Sequence, residues 1–124
     1  MHATKVVTLF SATARTASAN GSSVGTGERT DSVMQSSEGY TRHMHVFTNT
    51  TAFTSGTNDV SVEGSVDGGT TWFTLTPSSA WTQITGTGKQ VRRYEGPIPP
   101  LVRGVQTLAG GPNITTGMTA LLGG

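Results

Sequence analysis

The sequence contains no cysteine, which removes disulfides and thiolate metal sites from the means of holding the fold and fits synthesis in a reducing cytoplasm. Charge is nearly as scarce. Only 12% of the residues are charged, and eight basic against seven acidic side chains leave a net charge of +1. That balance makes no field able to gather DNA or RNA, so no nucleic-acid partner is expected. Long apolar runs are missing too. Nothing approaches the roughly 18 consecutive apolar residues of a membrane-spanning helix, and the short run from Val6 to Phe10 stops at Ser11, well short of the apolar core of a secretion signal. The expectation is a soluble, unexported protein with no signal peptide and no membrane partner.

In place of charge stand 17 glycines, together with serines and threonines that supply more than a quarter of the chain. Threonine is β-branched and suits strands, while glycine and serine suit turns. Low hydrophobicity can leave a chain disordered, but that state usually accompanies high net charge, which is absent. The 124 residues make one domain with one modest core.

Alternation predicts strands at residues 5–13, 30–35, 40–49, 60–66, 71–75, 89–95, 101–108 and 114–122, with a short continuation at 81–84. In the first, Val7, Leu9 and Ser11 are expected on one face and Val6, Thr8 and Phe10 on the other. In the third, Met44 and Val46 share a face opposite His43, His45 and Phe47. Residues 14–28 read as a long polar loop, 48–57 as a loop pinned by Phe53, and Ala109-Gly110-Gly111-Pro112-Asn113 as a turn. Pro97, Pro99 and Pro100 lack the N–H a ladder needs, so they predict an extended crossover at an edge. About eight strands at this spacing predict an all-β fold, an antiparallel β-sandwich or jelly roll. A strand and Gly/Ser-rich arm over 1–36 precedes the core at 37–124, together one domain.

Several patterns touch on chemistry without completing it. His43 and His45 could chelate a metal, but no third ligand is indicated. Gly21-Ser22-Ser23-Val24-Gly25 has the spacing of a nucleophile elbow without the flanking strand and helix that motif requires. Gly86-Thr87-Gly88-Lys89 resembles the end of a phosphate-binding loop, yet Gln90 stands where Ser or Thr is needed and Gln83 where the first Gly is needed. Asp59, Glu63 and Asp67 are too spread for one calcium ion, and no carboxylate pair marks a glycosidase. The expectation is a protein that is not an enzyme and needs no metal or cofactor.

The most informative stretch is Ser65-Val66-Asp67-Gly68-Gly69-Thr70-Thr71-Trp72, between the strands at 60–66 and 71–75. Asp67-Gly68-Gly69 tolerates the positive φ of a hairpin loop, which would set the register of two central strands. Asp67 is placed to accept turn N–H groups, Thr71 to return a hydrogen bond, and Trp72 to cover the turn. The octet resembles the Asp-box of sialidase-type propellers, but one copy in 124 residues cannot close a ring of blades, so Ser65, Asp67, Gly69, Thr71 and Trp72 are assigned a structural role. Trp72 and Trp81 are also candidates for stacking a sugar.

The octet is succeeded along the chain by Arg92-Arg93-Tyr94-Glu95-Gly96-Pro97-Ile98-Pro99-Pro100-Leu101-Val102-Arg103, a Gly-Pro turn and a Thr-rich last strand. In this order of elements, residues 40–122 resemble small β-sandwich virion proteins of tailed bacteriophages. Such proteins decorate or cement capsids or form parts of tails and fibres. The resemblance implies a non-enzymatic virion protein whose partner is the major capsid protein or another virion protein. It also implies a homo-oligomer, a trimer being one option. The alternative is a carbohydrate-binding module of a fibre or a glycan-active system.

Overall fold

The structure, a computed structural model, describes residues 5–21, 24–25, 43–95 and 98–123. Among them there is no helix and there are seven strands: β1 (Lys5–Arg15), β2 (Ala19–Asn20), β3 (Val24–Gly25), β4 (His43–Ser65), β5 (Phe73–Thr74), β6 (Gly88–Glu95) and β7 (Leu101–Gly123). Every pairing is antiparallel, so the all-β, antiparallel class read from alternation and Thr content holds. The detail differs from eight strands. Hydrogen bonds link the seven into one sheet with the path β1-β7-β4-β5, with β2 and β3 on β7 and β6 on β4. The strand expected at 30–35 and the start of the one at 40–49 lie outside the described residues.

Two 23-residue strands, β4 and β7, form the spine. They pair from His43↔Gly123 to Ser65↔Leu101, so four of the segments read from the sequence collapse into two. The expected loop at 48–57 and the expected turn at 109–113 are both strand, and they lie opposite each other. Register slips between Thr50 and Ala52, between Phe53 and Ser55, and between Ser55 and Thr57. Gly56, Gly110 and Gly111 have φ of 89°, 76° and 65°, and the Ser55 hydroxyl donates to the Gly111 carbonyl at 2.7 Å. Bulges and positive-φ glycines bend a strand without ending it, so the glycine-rich signal marks a bend in a continuous ribbon, not a chain reversal.

The bend brings inward-facing residues of the two ribbon halves together. On β4 these are Met44, Val46, Thr48 and Thr50 before the bend and Asn58, Val60 and Val62 after it; on β7 they are Val102, Gln106 and Leu108, then Ile114, Thr116, Met118, Ala120 and Leu122. Contact across the halves is tight at Gly104, where an added Cβ would lie 3.1 Å from Met118 Sδ and 3.2 Å from Leu9 Cβ. Burying an aliphatic side chain of this kind contributes about 1.5–3 kcal/mol.

The flanking strands complete each half. β1 pairs with residues 114–122 of β7, and its register slips between Thr8 and Phe10 and again between Phe10 and Thr13. This irregularity places both Leu9 and Phe10 in the core, at 2% and 5% exposure, where strict alternation would have put them on opposite faces. β6 pairs with residues 43–50 of β4 and turns Tyr94 inward. Residues expected in the polar loop at 14–28 include β2 and β3, which pair with β7 at Gln106–Val105 and Val102–Leu101. The continuation expected at 81–84 is one backbone bridge, Ile84 to Asn58. In the proline crossover Ile98 is buried, while Gly96 and Pro97 lie outside the described residues.

Candidate functional site

Local hydrogen bonds build the loop after β4. The Ser65 hydroxyl donates to Asp67 Oδ1 at 2.8 Å and accepts from the Gly69 N–H at 2.9 Å. Asp67 Oδ1 also accepts the N–H groups of Thr70 and Thr71 at 3.1 and 2.9 Å, and the Thr71 hydroxyl donates to Asp67 Oδ2. Gly68 and Gly69 carry the positive φ, 75° and 93°. Trp72 closes the loop by donating its indole N–H to the Gly69 carbonyl at 3.0 Å. All five residues singled out in this octet meet in one network. The strands it joins are not two central ones, however: β5 is a two-residue exposed edge held by Glu63↔Thr74 and Gly64↔Phe73.

These bonds hold the Asp67 carboxyl down at about 2, the Thr71 hydroxyl being the largest cause, followed by the Thr71 N–H and the Ser65 hydroxyl. Because the folded value lies below the ordinary 3.8, the carboxylate's contribution is complete above that range and is lost as the pH falls toward about 2. Acidification from about pH 4 to about pH 2 is therefore expected to loosen residues 65–72 selectively. Amide exchange at Gly69, Thr70 and Thr71 should rise before that of β4 and β7, and synchronous loss of protection would contradict the assignment.

A distant residue sits on the loop. Arg103 places its guanidinium 4.2 Å from the centre of the Trp72 ring and donates through Nε and Nη2 to Glu63 Oε1, both at 2.8 Å. Glu63 and Arg103 are cross-strand partners in the β4–β7 ladder, a pairing invisible at a separation of 40 residues. Trp81 has a parallel arrangement: its N–H donates to the Tyr94 hydroxyl at 2.8 Å, and Arg92 lies 5.4 Å from its ring centre. Burial pushes the Tyr94 hydroxyl up to about 12. Each indole thus has its N–H committed and a guanidinium close over its ring, which leaves less of Trp72 and Trp81 for a sugar.

The remaining sequence candidates are dispersed. Asp59 accepts from Gln83 at 3.1 Å, Glu63 is bound to Arg103, and Asp67 belongs to its own loop. Among the described residues no three metal-ligating side chains converge. The His43 and His45 rings meet edge to face, 6.0 Å apart. Gly86, Thr87, Gly88 and Lys89 line a hydroxyl-rich cleft of about 370 Å³ with Thr48 and Thr50. Of the Gly21–Gly25 pentapeptide, Ser22 and Ser23 lie outside the described residues.

A further surface is the outer face of β1, β7, β4 and β6. Register sets two rows across it: Val6, Leu121, His45 and Arg93, then Thr8, Thr119, Phe47 and Val91. Val6, Phe47 and Val91 are 66%, 45% and 47% exposed. At its β6 margin Arg93 and Glu95 pair at 2.6 Å. No protein-family model matches the chain, and no curated protein matches it in sequence. The outer face is the candidate interface, because a single scattered apolar residue needs no explanation but the exposed Phe47 and Val91 are cross-strand neighbours and share the face with Val6, and exposed apolar groups gathered on one surface are the usual mark of a contact.

Proposed function

We propose that this protein is a non-enzymatic structural component of a tailed-phage virion, decorating or stabilising the capsid or forming part of the tail, and that it works as a homo-oligomer. The two halves of the bent ribbon then serve as the layers of a small β-sandwich. One observation carries the reading: a four-strand face bearing Val6, Phe47 and Val91 in the open, with the Arg93–Glu95 pair at its β6 margin. A domain with this build gives a repeating lattice a rigid pad that docks without reorganising.

Co-sedimentation with purified capsids and tails tests it. The parent chain is expected to pellet with one of these fractions, and Phe47→Asp with Val91→Asp should reduce pelleting at least about tenfold, a change of roughly 1.4 kcal/mol or more, with the fold kept. Point variants are required, because β1 pairs along β7 from Lys5↔Leu122 to Arg15↔Ile114 and removing residues 1–36 would strip a strand from the sheet. Failure to pellet with any virion fraction, together with glycan binding lost in Trp72→Ala, would overturn the virion reading in favour of a carbohydrate-binding module.

A further inference from the structure

Arg15, the last residue of β1, is held from two sides. Its guanidinium lies 4.6 Å from the centre of the Phe10 ring, and Nη1 donates to the carbonyl oxygens of Ser11 and Thr13 at 3.1 Å and of Thr116 at 3.4 Å. A guanidinium has five N–H donors in a rigid fork. The two on Nη1 are shared among three carbonyls, while those on Nε and Nη2 meet no acceptor among the described residues, and no carboxylate there pairs with this cation. Partial burial lowers the Arg15 pKa from its ordinary value, the direction that an added anion would oppose.

The same side chain lines a cleft of about 410 Å³ with Thr8, Ser11, Asn20 and Gly21. At Gly21 the wall is closely packed backbone. The Gly21 N–H donates to the Gly104 carbonyl at 2.9 Å, and a Cβ on Gly21 would fall 2.0 Å from the Leu9 carbonyl oxygen. Asn20 adds an amide at the rim. A preoriented guanidinium with an unused Nε–Nη2 edge beside a polar cleft is suited to planar, two-point recognition.

We infer that this cleft is a carboxylate-binding site, in which the Nε–Nη2 edge of Arg15 takes both oxygens of one carboxylate. The charge balance selects a carboxylate over a phosphate. One positive charge matches one negative charge, and three carbonyl oxygens already crowd the far edge of the guanidinium, so a phosphate dianion would leave excess negative charge there. The inference stands on the Arg15 geometry and does not depend on the proposed function.

The test uses the full chain labelled with ¹⁵N, titrated with sodium acetate, sodium chloride or inorganic phosphate at matched ionic strength. Acetate is expected to give saturable shifts at the Arg15 Nε–H and at the amides of Ser11, Asn20 and Gly21, with chloride giving none and phosphate binding more weakly than acetate. Arg15→Gln should abolish the saturable response at the three amides, provided that its β1 and β7 amide pattern is retained. The wild-type Nε–H signal keeps the test decisive if that variant unfolds. Acetate shifts that never saturate, a chloride response equal to the acetate response, or tighter binding of phosphate would overturn the assignment.

Discussion

Gly56→Ala is expected to be among the most destabilising single substitutions in this chain. Two effects add. Gly56 has φ of 89°, a region in which a side chain costs about 1–2 kcal/mol. A Cβ there would also lie 2.6 Å from the Ala109 carbonyl oxygen and 2.7 Å from Pro112 Cα, backbone atoms that cannot swing aside, and forcing extra volume into such a contact costs about 1–3 kcal/mol more. The expected loss is roughly 2–5 kcal/mol in urea unfolding. Gly68→Ala is the control, since Gly68 has φ of 75° but nothing within 4 Å of the added atom. It should lose only the backbone part, about 1–2 kcal/mol. Equal losses in the two variants would mean that β4 and β7 do not cross closely at the bend.

That bend also marks where sequence reading stopped short. Period-two alternation was legible in β4, where Met44 and Val46 were read on one face and are both buried, because alternation is a local property of a strand with one wet face. Gly110, Gly111 and Pro112 read as a reversal because a glycine supplies positive φ equally to a hairpin and to a bulge; only the partner strand, with Gly56 directly opposite, distinguishes the two. The same limit applies to β1, whose slip at Leu9 and Phe10 depends on Met118 across the ladder. In the loop at 65–72 all the partners lie within four residues of one another, so its bonding could be argued from spacing alone. Arg103, which stacks on Trp72, could not be found in this way, because it arrives through the β4–β7 register. Arg15 was hidden for a similar reason: its significance depends on which donors remain unused after folding.

Asn58→Asp is the other substitution with a large expected effect, and its pH dependence is its signature. Asn58, Gln106 and Thr116 are fully buried where the two ribbon halves meet. Asn58 Nδ2 donates to Gln106 Oε1 at 2.8 Å and to Thr116 Oγ1 at 3.5 Å, Thr50 and Thr116 share a hydroxyl bond at 2.9 Å, and Asn58 Oδ1 has no hydrogen-bond partner among the described residues. A carboxylate has nearly the shape of the amide but no N–H to give, so it would face Gln106 Oε1 as a second acceptor. It would also bury a negative charge whose side-chain partners among the described residues, Gln106 and Thr116, are both neutral. An uncompensated buried charge of this kind destabilises by roughly 3–5 kcal/mol. Protonation restores a donor and removes the charge, so the folded pKa of the new group should lie above its unfolded value of about 3.9. The defect is therefore smallest below about pH 3.9 and grows as the pH rises through the folded pKa, opposite in sign to the acid response of Asp67. Asn58→Leu separates charge from polarity: it strands Gln106 Oε1 without a donor, a loss of about 1–3 kcal/mol, and introduces no titrating group at this position. At neutral pH Asn58→Asp should be the less stable of the two. Each variant measured against the parent at the same pH should show the gap narrowing in acid, and an Asn58→Asp variant as stable as the parent at neutral pH would mean that water reaches this layer and that the ribbon halves do not close over it.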